Sequence, residues 1–197
     1  MNRCPPPGDL PYLYANFVSL DDLARACGSE PEQTRTSIEA CKLPHPAYVL
    51  ADGIELVPPD YFALADAAGG EDELATWFKA AYSRAAIDEP AADPVETAWV
   101  DYLSGAYFKC LRSVTPRTIV RKASLMARIE ELVSDPREDE AEWVGSLRSA
   151  VDALDVLERP FAEFDRLDGP VSRDRLVSDV RERFPFWDDS SRGGLSQ

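Results

Sequence analysis

The sequence predicts a mainly α chain in which a small N-terminal unit with one β-hairpin packs on a C-terminal helical bundle. Three observations lead there. Apolar residues recur at helical spacing through most of residues 71–187. An Asp-Gly turn between two β-prone runs supplies the hairpin. With 197 residues, 45% hydrophobic and 29% charged, the chain is globular in composition and long enough to bury a core without disulfides or metals.

The elements follow in order. Residues 1–16 are Pro-rich and read as an extended arm. Ser19 reads as an N-cap, with Asp21 and Asp22 in the first turn, where acids suit the helix dipole. Gly28 is the natural stop of that helix, and Pro31 opens a second one that ends before Pro44. Tyr48–Leu50 and Ile54–Val57 flank Asp52-Gly53 as a hairpin, and Asp60 is positioned to cap a third helix closed by Gly69-Gly70. Helices are then expected over 71–86, 94–111, 116–133 and 142–158, with a short one over 172–184 and a polar, disordered tail at 188–197. The organisation predicted is an arm (1–16), a first unit (17–70), a bundle (71–187) and the tail. The aromatic residues of the bundle, Trp77, Phe78, Trp99, Trp143, Phe161 and Phe164 among them, read as core.

Two short helices, a hairpin and a following helix over residues 17–67 resemble a MerR-type winged helix-turn-helix, so the N-terminal unit is expected to be winged-helix-like. The resemblance implies DNA binding, and the charges argue against it. Arg25, Arg35 and Lys42 face nine acids between Phe17 and Asp66, whereas a groove-reading helix needs a basic surround. The whole chain has a formal charge of −15, which also disfavours anionic membrane surfaces. No run approaches the length of a membrane span, and the N-terminus has no signal-peptide core. Cys4, Cys27, Cys41 and Cys110 form no CxxC pair, and His45 is the one histidine, so no metal site is expected. Free thiols fit a cytoplasmic protein. No P-loop, GxGxxG, HExxH or GxSxG is present, and no cofactor is expected.

One stretch departs from the acidic composition. Between Trp99 and Arg128 lie Lys109, Arg112, Arg117, Arg121, Lys122 and Arg128, with Asp101 as the sole acid. Thr115 and Pro116 are good N-cap and first-turn residues, and a helix N-terminus favours anions. Arg117 and Arg121, four apart, share a helix face, and arginine grips phosphate or carboxylate at two points. The candidate ligand-binding set is therefore Tyr107, Arg112, Thr115, Arg117 and Arg121. The competing reading is that these arginines pair with the surplus acids. Cys110 and Lys122 are the candidate catalytic pair, because neighbouring cations lower a thiol pKa.

Several runs resemble a domain-of-unknown-function family of bacterial natural product biosynthesis proteins. They include Phe17-Val18-Ser19-Leu20-Asp21-Asp22-Leu23-Ala24, Cys110-Leu111-Arg112-Ser113-Val114-Thr115-Pro116, Ile119-Val120-Arg121-Lys122 and Leu157-Glu158-Arg159-Pro160-Phe161. The resemblance spans residues 17–184 and implies a setting in secondary metabolism without supplying a reaction. The expectation is a small cofactor-independent enzyme, such as a cyclase, isomerase or transferase accessory. Its partner would be a small-molecule or carrier-protein-bound anionic intermediate. The alternatives are a winged-helix regulator or ligand sensor, which a homodimer would fit, and a scaffold for pathway enzymes.

Overall fold

The computed structural model describes residues 4–184 together with 186 and 187. The tail expected at 188–197 lies outside the described residues. The chain is mainly α with a small hairpin-containing region.

Its start differs from expectation. After a 3-10 turn, Pro7–Asp9, residues expected to be extended form α1, Leu10–Asn16. Pro11 lies in the first turn, where its missing N–H costs nothing. Leu13 and Phe17 bury this helix in the core. Asp9 anchors its entry by accepting from the Glu163 and Phe164 amides at 3.3 and 2.8 Å.

The strands β1 (Val18–Ser19), β2 (Tyr48–Val49) and β3 (Glu55–Val57) form an antiparallel sheet in the order β1-β3-β2. Val18 pairs with Val57, and Tyr48 with Leu56. Helices α2 (Leu20–Ala26) and α3 (Pro31–Glu39) lie between β1 and β2. Ser19 caps α2 by accepting from Asp22 N, and Pro31 opens α3, as the sequence predicts. Helix α4 runs Ala63–Ala68; it starts three residues beyond Asp60, which does not cap it.

Helix α5 (Glu71–Ala85) leads to the region expected as one helix over 94–111. Here the chain breaks into α6 (Val95–Leu103) and α7 (Ala106–Cys110). Gly105 makes the break, with φ at 77°, and a Cβ there would sit 2.5 Å from the carbonyl oxygen of His45. The His45 amide donates to Leu103 O at 2.7 Å, so the Pro44-His45-Pro46 turn packs directly on the break. Helices α8 (Pro116–Ser134) and α9 (Ala141–Leu157) follow. A 3-10 segment (Glu163–Asp168), one turn of π-helix (Asp174–Ser178) and α10 (Asp179–Arg183) complete the described chain.

Two apolar cores result. The first joins Leu13, Leu20, Leu56 and Tyr61 to Phe78, Tyr102, Leu111 and Val120, so the N-terminal unit shares its core with α5–α7 and the start of α8. Phe78 stacks on Tyr102 at 5.0 Å and meets Trp99 at 5.3 Å; these rings are core. The second joins Leu125, Ile129 and Leu132 of α8 to Trp143, Leu147 and Leu154 of α9, and to Val180 and Phe184. Helix α8 therefore runs through both, and Leu157 packs against both. No helix among the described residues is long and apolar enough to cross a membrane.

Candidate functional site

The basic island folds into a junction where two short backbone runs pair. Leu111 bridges Glu158 in antiparallel fashion. The Arg112 amide donates to Leu157 O at 3.1 Å, and the Arg159 amide to Cys110 O at 2.9 Å. Arg159 is buried and reinforces this pairing. Its Nε donates to Leu111 O at 2.8 Å and its Nη2 to Arg112 O at 3.1 Å, while the guanidinium stacks on Phe17 at 4.9 Å.

Behind the pairing lies a buried cluster. Glu158 is 0% exposed, and Lys122 Nζ meets its Oε1 at 2.8 Å. Ser172 Oγ donates to the same oxygen. Oε2 of Glu158 has no hydrogen-bond partner among the described residues. Cys110 lies alongside, its thiol over the Tyr107 carbonyl at 3.5 Å. Burial pushes this thiol up, and the Lys122 ammonium beside it opposes burial without overcoming it. The sequence predicts that neighbouring cations lower this thiol; in the structure Lys122 acts in that direction and burial acts against it more strongly. Burial alone would lower Lys122, but Cys110 and Glu158 outweigh it and hold the ammonium above its ordinary range. The cluster is a buried thiol beside the Lys122–Glu158 ion pair.

The remaining candidates separate. Thr115 caps α8: its Oγ1 accepts from Thr118 N at 3.1 Å, and Thr118 Oγ1 accepts from Thr115 N at 2.9 Å. Pro116 has no N–H and the Ile119 amide is taken by Thr115 O, so Arg117 alone keeps a free amide in this turn. The anion site expected at this helix start is largely closed by the capping box. Tyr107 is half-buried on α7, with the carboxylates of Asp101 and Asp93 in its field, and burial raises its phenol. It does not line the surface that carries the arginines.

Arg112 and Arg121 do come together. With Ser113 and Thr118 they rim a groove of about 620 Å³ between α8 and α9. Its apolar wall is Leu125, Ala153, Val156 and Leu157, and Val156 is 75% exposed. Arg117 lies one turn away on the α5 side, against Ala81, Ala85, Asp88 and Glu89. Among the described residues, Arg112, Arg117 and Arg121 form no ion pair. Arg25, Arg35, Arg128, Arg137, Arg166, Arg173, Arg175 and Arg181 each hold an acid. Among the described residues, no acid of the surplus pairs with these three arginines.

Sequence reasoning missed Glu158, Arg159 and Ser113. The signal for the first two was an adjacent acid and base at the end of the α9 apolar stripe, immediately before Pro160. No group of three or more His, Cys, Asp or Glu residues among those described could hold a metal ion. No curated protein and no solved structure matches the chain. A family of unknown function, DUF6058, matches residues 72–185, which contain all but the first residue of α5, α6–α10, the groove and the buried cluster. By that match over more than half of its length, the chain belongs to DUF6058.

Proposed function

We propose that this protein binds an apolar small molecule bearing an anionic group in the groove between α8 and α9. Arg112 and Arg121 hold the anion, and Leu125, Ala153, Val156 and Leu157 line the apolar body. The observation that carries this reading is the pair of arginines that form no ion pair among the described residues, in a chain of charge −15, at the mouth of an apolar groove. Exposed apolar surface beside unneutralised charge fits a ligand with both characters. The setting we propose is natural product biosynthesis, which the sequence resemblance implies, and a carrier-tethered intermediate has the required chemistry. Cys110 and Lys122 do not line the groove, so the reading is one of binding, without chemistry at those two residues.

We infer no DNA-reading role for the N-terminal unit. Arg35 is held by Asp21, Glu32 and Glu55, Lys42 by Asp72, and Arg25 by Asp21 and Asp22. A duplex needs cations free to replace its counterions. Retardation of a DNA fragment by this protein at low salt would contradict the inference.

Calorimetric titration with octanoate and with octanol tests the groove. Octanoate is expected to bind more tightly than octanol. Arg112→Ala and Arg121→Ala are each expected to cost octanoate about tenfold, the worth of one charge-assisted contact. Equal binding of the acid and the alcohol would overturn the proposal.

A further inference from the structure

We infer that the anionic group is a phosphoryl group, and that the groove takes the phosphate monoester of an apolar alcohol. This deepens the groove reading above and rests on it. The rim offers three side-chain donors that no described residue engages: the Arg112 guanidinium, the Arg121 guanidinium and the Ser113 hydroxyl. The neighbouring Thr118 hydroxyl is excluded, because it donates to Ser113 O at 2.9 Å and accepts from the Thr115 amide.

The backbone beneath these donors is fixed while the side chains are free. Arg112 is pinned at both its amide and its carbonyl, to Leu157 O and Arg159 Nη2. The Ser113 carbonyl is held by Thr118. Arg121 sits in α8 next to Lys122, which is anchored on Glu158. Donors on a fixed frame lose little freedom on binding.

Three donors with two positive charges match the three terminal oxygens and the double charge of a phosphate monoester better than the two oxygens of a carboxylate. The charged groups lining the groove are Arg112 from the α7–α8 turn, Arg121 from α8 and Asp152 from α9, and on its other side Arg121 borders Asp88 and Glu89 without pairing with either. Asp152 is taken by Arg181 of α10 at 2.7 Å and does not oppose the anion. From Thr118 to Leu125 the groove follows α8 for about two turns, roughly 10 Å, which suits a chain of medium length.

The experiment titrates octyl phosphate, octanoate and octanol into the full chain and into Arg121→Ala and Ser113→Ala. Octyl phosphate is expected to bind at least about tenfold tighter than octanoate. Its affinity is expected to fall severalfold between about pH 7.5 and about pH 5.5, as the monoester loses its second charge near pH 6. Ser113→Ala is expected to weaken octyl phosphate and leave octanoate unchanged. If octyl phosphate binds no tighter than octanoate, with no such pH dependence, the phosphoryl assignment fails while the groove reading stands. If none of the three compounds binds, both fail.

Discussion

Arg121 and Lys122 are adjacent in sequence and opposite in fate. Lys122 turns inward, its side chain 13% exposed, onto the fully buried Glu158. Arg121 turns outward to the groove and forms no ion pair among the described residues. One basic island thus supplies a structural charge and a free one. The charge that is paired and desolvated holds the junction between the cores; the unpaired charge is available to a ligand. The same contrast separates the two sides of Arg112, whose backbone is fixed and whose side chain is uncommitted.

The largest effect that would sharpen this contrast is expected at the buried side. Lys122→Ala leaves Glu158 charged and unpaired in the interior, and should cost about 3–5 kcal/mol in equilibrium denaturation. The double variant Lys122→Met with Glu158→Leu should recover most of that loss, because it removes both charges. A single variant as stable as the parent would mean that the pair is not buried in solution.

Next is Gly105→Ala, which places a Cβ against the His45 carbonyl at a positive φ. It should cost more than about 1 kcal/mol in the same assay. A neutral result would remove the close packing of the 44–46 turn on the α6–α7 break.

On the exposed side, Arg121→Ala should change stability by less than about 0.5 kcal/mol while reducing ligand affinity. A melting temperature as depressed as that of Lys122→Ala would erase the distinction between the two residues.

The smallest effect concerns pH. The Arg166 guanidinium holds the Asp174 carboxyl below its ordinary value. Burial works to raise Asp155, but Arg181 and Arg173 outweigh it and hold that carboxyl low as well. Both acids therefore favour the folded state above the unfolded carboxyl pKa of about 4, and that contribution is lost as pH falls through the folded values. These pairs are partly exposed, so solvent screening keeps each contribution small. Amide protection, taken relative to the intrinsic exchange rate at each pH, should fall first in residues 163–183 on acidification. Uniform loosening of both cores would contradict this.

Local signals were legible in the sequence because they act locally. Ser19 caps α2, Pro31 opens α3, Gly53 turns the hairpin and Thr115 caps α8, each through neighbours within a few residues. Elements that depend on distant partners were not legible. Gly105 breaks the α6–α7 region because the 44–46 turn packs there, some sixty residues earlier in the chain. Helix α1 forms because Leu13 and Phe17 reach a core built by later elements. The same limit governs the site. The spacing of Cys110 and Lys122 carries no information about Glu158, whose pairing with Lys122 depends on the 157–159 run at the end of α9 pairing antiparallel with 110–112. The charge island itself was visible from composition, but which of its cations would find acids was decided by tertiary packing.

The most direct test of the central claim is an amide-resolved NMR titration of the full chain with octanoate. Binding in the α8–α9 groove predicts saturable shifts at residues 112–113, 118–125 and 152–157, and their loss in Arg121→Ala. Shifts that cluster elsewhere, or that persist unchanged in that variant, would contradict the assignment of the free arginines to a ligand.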